Sequence, residues 1–145
     1  MNVSRILAIK PEKIITIADD ATIRTAVNTL TEHRIGALIV LNKGGGLCGI
    51  LSERDIIRWA ATNDNISTDL VGDVMTKDVV VGVPQDEIMS IAHVMTERRF
   101  RHLPVVDDDR KVIGMISIGD VMKAQLDAYR GEIDTLETQI MADQD

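Results

Sequence analysis

The amino-acid sequence contains an internal repeat with a period of 65 residues. Shifted by that interval, residues 22–58 align with residues 87–123 without a gap, and nine of the 37 positions are identical. The identical pairs of most chemical interest are Gly49 and Gly114, Ser52 and Ser117, and Asp55 and Asp120. Two aliphatic-rich segments rarely keep such residues in one register by chance, so the chain holds two copies of one structural unit.

Each copy predicts the same order of secondary structure, β-α-β-β-α. After an apolar opening stretch, apolar residues at i, i+3, i+4 and i+7 indicate a helix with one buried face. These residues are Ile23, Ala26, Val27 and Leu30 in the first copy and Ile88, Ile91, Ala92 and Met95 in the second. The predicted strands are 14–17, 37–41 and 47–51, then 79–83, 103–106 and 112–116. A last helix is expected to begin near Ser52 and near Ser117.

One unit of this size buries too little apolar surface to be stable alone. We therefore expect an α+β fold in which two β-α-β-β-α repeats pack sheet to sheet with pseudo-two-fold symmetry, followed by a C-terminal helix. The predicted divisions are a first repeat at 1–60, a polar linker at 61–70, a second repeat at 71–125 and an amphipathic helix at 126–145.

Composition limits the classes of partner. The 145 residues carry a net charge of −7 and include one Phe, one Trp and one Tyr. An acidic chain repels a phosphate backbone, and so few aromatic rings offer little surface for stacking bases, so nucleic acid is not an expected partner. No segment reaches the length of a membrane span, and the first residues lack a signal-peptide pattern. We expect no membrane contact and a cytoplasmic location.

Neither a metal site nor a catalytic centre is expected. The three histidines and Cys48 lack the spacing of metal ligands, and Cys48 lies in an apolar run that favours a buried thiol. Ser52 and Ser117 have neither a histidine close by in sequence nor a Gly-x-Ser-x-Gly elbow. The three glycines at 44–46 are not followed by Gly-Lys-Ser/Thr, so a tight turn between strands is favoured over a phosphate loop.

The two corners at residues 49–55 and 114–120 are the most informative local feature. In both, an apolar strand ends and a helix begins at Ser-x-x-Asp. Such a corner can be a capping box, in which the serine and the aspartate satisfy the first backbone amides of the helix. It can also bind a ribose phosphate, because those amides attract phosphate and a carboxylate can accept from both ribose hydroxyls. One aspartate can do both, in the empty and the filled state.

The duplicated unit with Gly-h-h-Ser-x-x-Asp, where h is apolar, resembles the cystathionine-β-synthase-domain (CBS) family in its stand-alone paired form, the Bateman module. The segments Asp73-Val74-Met75-Thr76 and His102-Leu103-Pro104-Val105-Val106 add to the resemblance, which covers about residues 3–125. It implies a regulatory sensor, not an enzyme, with no required cofactor. The implied ligands are AMP, ADP, ATP, NAD, NADH or S-adenosylmethionine, bound in two clefts between the repeats. The implied assembly is a homodimer. Its regulated target would be another protein, or the module would act alone as a sensor or buffer.

The same resemblance implies the residues that hold the ligand. The ribose-binding aspartate maps onto Asp55 in one cleft and Asp120 in the other, and the hydroxyl position maps onto Ser52 and Ser117. Two further residues, on the opening strands, are implied to lie near the adenine: Thr16 and Val81.

The phosphate-contacting residues make the two clefts unequal. By resemblance they map onto Arg101 and His102 in the second repeat, whereas the first repeat has Gly36 and Ala37 at those places. Arg54 is expected to replace the missing contact from the start of the helix. We therefore expect the stronger site at Asp120 and the weaker one at Asp55.

Two features of the sequence can each be interpreted in two ways. The basic cluster Arg98, Arg99, Arg101 and His102 can be a solvated helix end or a phosphate-binding surface. Arg99 recurs as Arg34, which favours a structural role for it. The apolar stripe near the C-terminus, Leu126, Tyr129, Ile133, Leu136 and Ile140, can pack on its own core or, as we favour, on a second subunit.

The alternative function is a constitutive protein-interaction scaffold with vestigial clefts. Nucleotide binding distinguishes it from the sensor. A nucleotide hydrolase is disfavoured because no carboxylate cluster or base–nucleophile pair lies near the corner motifs.

Overall fold

The computed structural model describes residues 1–10 and 13–143. The helices are α1 (Val3–Ile9), α2 (Ile23–His33), α3 (Glu53–Ala60), α4 (Val71–Val74), α5 (Ile88–Arg98) and α6 (Ile118–Asp143). The strands are β1 (Thr16–Ala18), β2 (Ala37–Leu41), β3 (Leu47–Ser52), β4 (His102–Val106) and β5 (Val112–Ser117). The predicted α+β fold of two repeats, each with its own sheet, plus a C-terminal helix is confirmed.

The two sheets share one hairpin geometry. In the first repeat, β1 pairs parallel with β2, and β2 pairs antiparallel with β3. In the second, β4 and β5 pair antiparallel, and His102 lies opposite Ser117 as Ala37 lies opposite Ser52. The register of each hairpin shifts at one equivalent place, between Val40 and Leu41 and between Val105 and Val106. The duplication therefore extends to backbone detail.

The opening strand predicted at residues 79–83 is shortened to one parallel bridge at Gly82. In the first repeat, the equivalent strand β1 pairs over three residues, with Thr16 beside Ile39. The residue equivalent to Ile39 is Pro104, which has no N–H to donate to a neighbouring strand. One proline therefore explains why the second repeat keeps only a two-stranded sheet.

Each repeat has its own apolar core, and each core includes a helix that precedes the other repeat. The core of the second repeat contains Val3 and Ile6 of α1. The core of the first repeat contains Val71 and Val74 of α4. The repeats thus exchange these helices, and the cores cross the boundaries that the sequence predicts along the chain.

The middle strands are buried on both faces. In β2, Leu38 and Val40 belong to the core of the first repeat, while the alternate residues Ala37 and Ile39 are equally buried. Because side chains alternate across a strand, the second pair faces away from that core. Ile39 lines a small cavity together with three residues of β5, so the two sheets face each other.

The helix that follows β5 continues to Asp143 as one element of 26 residues. The sequence predicts a second-repeat helix and a separate amphipathic helix at 126–145, and the structure joins them without an interruption at Gly131. Residues 144 and 145 of the predicted segment lie outside the described residues.

Candidate functional site

A cleft of about 490 Å³, here called the first cleft, opens between the two repeats. It draws on the β3–α3 corner of the first repeat, on the chain after α4, and on the junction of α5 with β4. The lining residues in these segments are 52–55, 76, 78–80 and 98–102. Both repeats therefore contribute to one site.

Asp55 is held at the first turn of α3 by the capping box that the corner motif predicts. The hydroxyl of Ser52 accepts from the Asp55 amide at 3.2 Å, and the Ser52 amide donates to Asp55 Oδ2 at 2.9 Å. The other carboxylate oxygen, Oδ1, accepts from the hydroxyl of Thr76 at 3.1 Å. Thr76 thus supplies the kind of donor that a ribose hydroxyl would supply.

Cationic side chains are concentrated in the first cleft. Five arginines line it: Arg54, Arg58, Arg98, Arg99 and Arg101. The carboxylates that line it are Glu53, Asp55 and Asp78. Of the ion pairs formed by residues 1–10 and 13–143, none includes any of these arginines. In an acidic chain, this cleft therefore has more arginines than carboxylates in its lining, and the net positive charge favours an anionic ligand.

His102 begins β4 at the edge of this cleft. A Cβ atom added to Gly36 would lie 3.9 Å from the His102 Cε1 atom and 3.4 Å from Glu53 Oε1, so Gly36 lies in contact range of both side chains. Burial lowers the pKa of His102, and the charge of Lys10 lowers it further, while Glu53 and Asp120 act in the opposite direction. The imidazole of His102 therefore gains a proton less readily than an exposed histidine does.

The corresponding corner of the second repeat already has a cationic partner from within the chain. Asp120 Oδ2 accepts from Lys10 Nζ at 2.8 Å and from the Ser117 amide at 2.9 Å. Lys10 also donates to the carbonyl of Met115 at 3.0 Å. Burial by itself raises the pKa of Asp120, but the hydrogen bonds from Lys10 and Ser117 outweigh it, and the pKa lies below its usual value.

The space beside Lys10 is small. The cavity there measures about 90 Å³ and is lined mainly by aliphatic side chains of both repeats, with the two cations Lys10 and Lys13. Asp120 is not among its lining residues. This small cavity is therefore not the counterpart of the first cleft at the Asp120 corner.

The first cleft brings together six of the residues that the sequence predicts for the two sites: Gly36, Ser52, Arg54, Asp55, Arg101 and His102. The other five lie elsewhere. Ser117 and Asp120 form the second corner, and Ala37 is buried at the start of β2. Thr16 and Val81 do not line the first cleft, where Val79 and Val80 take the place expected for an opening strand.

The structure groups these residues differently from the sequence prediction. Arg101 and His102 were assigned to the cleft of Asp120, but they line the cleft of Asp55. The physical reason is the face-to-face packing of the sheets, which brings the corner of one repeat to the entrance of β4 in the other. Asp120 is paired with Lys10 instead.

Several lining residues are absent from the sequence prediction. Thr76 ends a motif segment, yet its contact with Asp55 depends on its backbone pairing with Ile50 across the two repeats. Asp78 and Phe100 carry no local signal. Only the tertiary arrangement identifies them.

Other chemistry is limited in the part of the chain that the structure describes. Within it, no helix combines the length and apolar character needed to cross a bilayer, and no group of His, Cys, Asp or Glu side chains is arranged to hold a metal ion. The thiol of Cys48 donates to the Val40 carbonyl at 3.5 Å, and burial, followed by the charge of Asp19, raises its pKa.

The family model for the CBS domain matches the chain twice, over residues 4–62 and 71–127. A mitochondrial CBS domain-containing protein of Arabidopsis thaliana, CBSX3, is 36% identical over 126 residues, which are 83% of this chain and 61% of that protein. The chain therefore spans less than two thirds of that relative's length.

Solved structures share the arrangement of the two repeats. The CBS-domain containing protein ATU1752 from Agrobacterium tumefaciens is 36% identical, with a TM-score of 0.81 over 86% of this chain and 99% of that one. The CBS domain pair of protein MJ0100, in complex with 5′-methylthioadenosine and S-adenosyl-L-methionine, has a TM-score of 0.75 at 27% identity, over 86% of this chain and 94% of that one. CBSX2 in complex with AMP has a TM-score of 0.70 at 26% identity, over 82% and 92%.

Proposed function

The chain belongs to the CBS domain family, and from that premise we propose that it is a regulatory module whose first cleft binds a phosphate-bearing adenosine ligand. The proposal excludes turnover: the ligand is bound and released unchanged. The relatives MJ0100 and CBSX2, whose structures contain adenosine compounds, support the adenosine part of the proposal.

The observation that carries the proposal is the pairing of an oriented carboxylate with unpaired guanidinium groups in one cleft. Asp55 is held from both sides by Ser52 and Thr76, which suits a ribose diol. The five arginines that line the same cleft suit phosphate oxygens, because guanidinium groups form paired, charge-assisted hydrogen bonds to them. The volume of about 490 Å³ lies within the range of small-molecule sites.

The charge of the cleft predicts an order among adenosine ligands. We expect ATP and ADP to bind more tightly than AMP, because each added phosphate can engage another arginine at about 1.5–3 kcal/mol per charged hydrogen bond. NAD and NADH carry a pyrophosphate and are expected to bind as well. S-adenosylmethionine has a positive sulfonium and no phosphate, so the arginines are expected to disfavour it.

Titration calorimetry of the full chain against AMP, ADP, ATP, NAD, NADH and S-adenosylmethionine tests the proposal. The informative variant is Asp55→Asn, and its matched control is Asp120→Asn at the equivalent position of the other repeat. We expect Asp55→Asn to weaken binding at least about tenfold, because the amide accepts at one atom only. Asp120→Asn is expected to leave binding in the first cleft unchanged.

Thermal unfolding separates a binding defect from a folding defect. A ligand at about a hundred times its dissociation constant adds about 2.7 kcal/mol to the free energy of unfolding. This stabilisation is expected in full in the wild type and in Asp120→Asn, and at the same ligand concentration it is expected to fall to about 1.4 kcal/mol or less in Asp55→Asn. Absence of heat and of stabilisation with every ligand would contradict the proposal and leave the constitutive interaction scaffold as the better account.

Regulation requires that the ligand discriminate between two states. A ligand shifts such an equilibrium only by its differential affinity for them, so the regulated partner must bind the filled and the empty module unequally. Three expectations from the sequence stay predictions: the homodimer, the separate protein partner and the cytoplasmic location.

A further inference from the structure

Two acceptors at the corner of the first repeat are satisfied by one residue from the chain after α4. The Thr76 amide donates to the Ile50 carbonyl at 2.8 Å, and the Thr76 hydroxyl donates to Asp55 Oδ1 at 3.1 Å. The backbone pairing is reciprocal, because the Ile50 amide donates to the Thr76 carbonyl at 3.0 Å. The hydroxyl can therefore rotate away from Asp55 while the backbone of Thr76 stays in place, and the carboxylate oxygen then becomes available to a ligand.

At the second corner, the equivalent acceptors are both satisfied by the side chain of Lys10. Met115 and Asp120 lie 65 residues after Ile50 and Asp55. Lys10 Nζ donates to the Met115 carbonyl at 3.0 Å and to Asp120 Oδ2 at 2.8 Å. Displacing this ammonium would break both contacts at once and would separate a carboxylate from its cation, which costs more than the loss of one neutral hydrogen bond.

Lys10 is presented to the second corner by an anchored helix. It is the C-cap of α1, and its amide donates to the Ile6 carbonyl at 3.0 Å. Val3 and Ile6 of this helix are buried in the core of the second repeat, and the Val3 amide donates to the Asp86 carbonyl at 2.9 Å. The backbone at Lys10 is therefore already fixed, and the ion pair with Asp120 requires the ordering of one side chain only.

The ion pair is also shielded from water. The side chain of Lys10 is 22% exposed and that of Asp120 is 24% exposed, so the attraction between the charges is screened less than in a surface pair. A ribose that replaced the ammonium at Asp120 would exchange a charge-assisted bond between opposite charges for a bond from a neutral hydroxyl. The exchange disfavours the ligand at this corner.

We propose that Lys10 is an internal occupant of the second corner, whose ammonium holds the Asp120 carboxylate against a ribose and limits the chain to one adenosine ligand, in the first cleft. The occupancy of the second corner is thereby tied to the side chain at the end of α1. The inference rests on the proposed function, because the ligand of the first cleft is the competitor that Lys10 excludes.

Titration calorimetry of the full chain with ADP counts the ligands. The wild type is expected to bind one ADP per chain. Lys10→Met keeps the length of the side chain and removes its charge, and we expect it to bind a second ADP. Loss of the charged hydrogen bond lowers the dissociation constant of the second corner by about ten to a hundred times. In Lys10→Met/Asp120→Asn, binding is expected to return to one ADP, which assigns the added ligand to Asp120.

Two matched variants isolate the charge at position 10. Lys13→Met removes a neighbouring exposed cation, and Lys10→Arg keeps a positive charge at the end of α1. Both are expected to bind one ADP, as the wild type does. Thermal unfolding without ligand shows that each variant is folded. A second ADP bound by either variant would overturn the inference, because the charge of Lys10 would then not be what excludes it.

The wild type and Lys10→Met together distinguish this inference from the proposed function. A wild type that binds two ADP, one of them lost with Asp120→Asn, would overturn the inference alone, as would a Lys10→Met variant that stays at one. An inactive wild type, together with a Lys10→Met variant that binds one ADP through Asp120, would support the inference and contradict the proposed function. Absence of binding by every variant would overturn both.

Discussion

Thr76 and Lys10 approach the aspartates of the two corners from the segments that follow α4 and α1. Thr76 donates a neutral hydrogen bond to Asp55, whereas Lys10 places a half-buried ammonium against Asp120. A ribose hydroxyl can replace the threonine donor at little cost, because one neutral hydrogen bond is exchanged for another. Replacing Lys10 would leave a carboxylate without its charge partner. The two corners of one motif therefore differ in their availability to a ligand.

Substitution of Lys10 by Met is expected to lower the free energy of unfolding by about 1–2 kcal/mol at pH 7, because Asp120 loses a charged hydrogen bond in a half-buried place. Denaturant titration measures the change. The matched control is Lys111→Met, at the exposed β4–β5 turn, where we expect a change within about 0.5 kcal/mol.

The difference in stability between the wild type and Lys10→Met is expected to depend on pH in a definite direction. The pKa of Asp120 is lowered in the folded chain, so its contribution is fully present above the unfolded value of about 3.9 and is lost as the pH falls through the folded value. The stabilities of Lys10→Met and the wild type are therefore expected to converge in acid. A difference that stays constant down to about pH 2 would contradict the assigned role of this ion pair.

At the scale of elements, the two exchanged helices rest on equivalent glycines. A Cβ atom added to Gly114 of β5 would lie 2.6 Å from Leu7 Cδ2 of α1, and one added to Gly49 of β3 would collide with Met75 after α4. The glycine of the Gly-h-h-Ser-x-x-Asp motif thus has a packing role. It lets a helix from the other half of the chain approach the strand closely.

The change Gly114→Ala is expected to destabilise the protein by about 1 kcal/mol, the low end of the penalty for overpacking, because the end of the Leu7 side chain must shift to admit the added methyl group. The same substitution at Gly131 is the control, because a Cβ atom there meets nothing within 4 Å and alanine favours the helix. Chemical denaturation of both variants measures the difference. Equal stability of Gly114→Ala and the wild type would show that α1 can shift away from β5 without loss of stability.

The elements were largely predictable, because their signals are local. Helical periodicity and the Ser-x-x-Asp caps locate α2, α3 and α5 and the corners from the sequence, and the structure has Ser52 as the N-cap of α3. The exchange of α1 and α4 was not predictable, because both are short apolar segments that fit either core. The grouping of Arg101 with Asp55 was not predictable either, because it depends on how the two repeats face each other.

At the scale of the whole molecule, neither repeat can complete its apolar core without a helix that precedes the other repeat. Val3 and Ile6 of α1 are buried in the second repeat, and Val71 and Val74 of α4 are buried in the first. Unfolding of one repeat must withdraw a helix from the other. The two halves are therefore expected to unfold in one cooperative transition.

The single tryptophan allows this cooperativity to be measured. Trp59 packs against the core of the first repeat and donates from Nε1 to Asp69 at 2.8 Å, so its fluorescence reports on that repeat. Gly114→Ala lies in the second repeat, and we expect it to shift the fluorescence midpoint and the far-ultraviolet circular dichroism midpoint by the same amount. An unchanged fluorescence curve would mean that the repeats unfold independently.

The exchange of α1 and α4 also bears on how such a chain can arise. A polypeptide with a single unit would leave its leading helix without a core, and would complete itself by trading that helix with a second copy, as domain-swapped dimers do. Joining two units end to end turns that bimolecular encounter into an intramolecular one, with an effective concentration in the millimolar range for a short connector. Once joined, the halves no longer need to be identical, and one corner can take up an internal lysine while the other stays open.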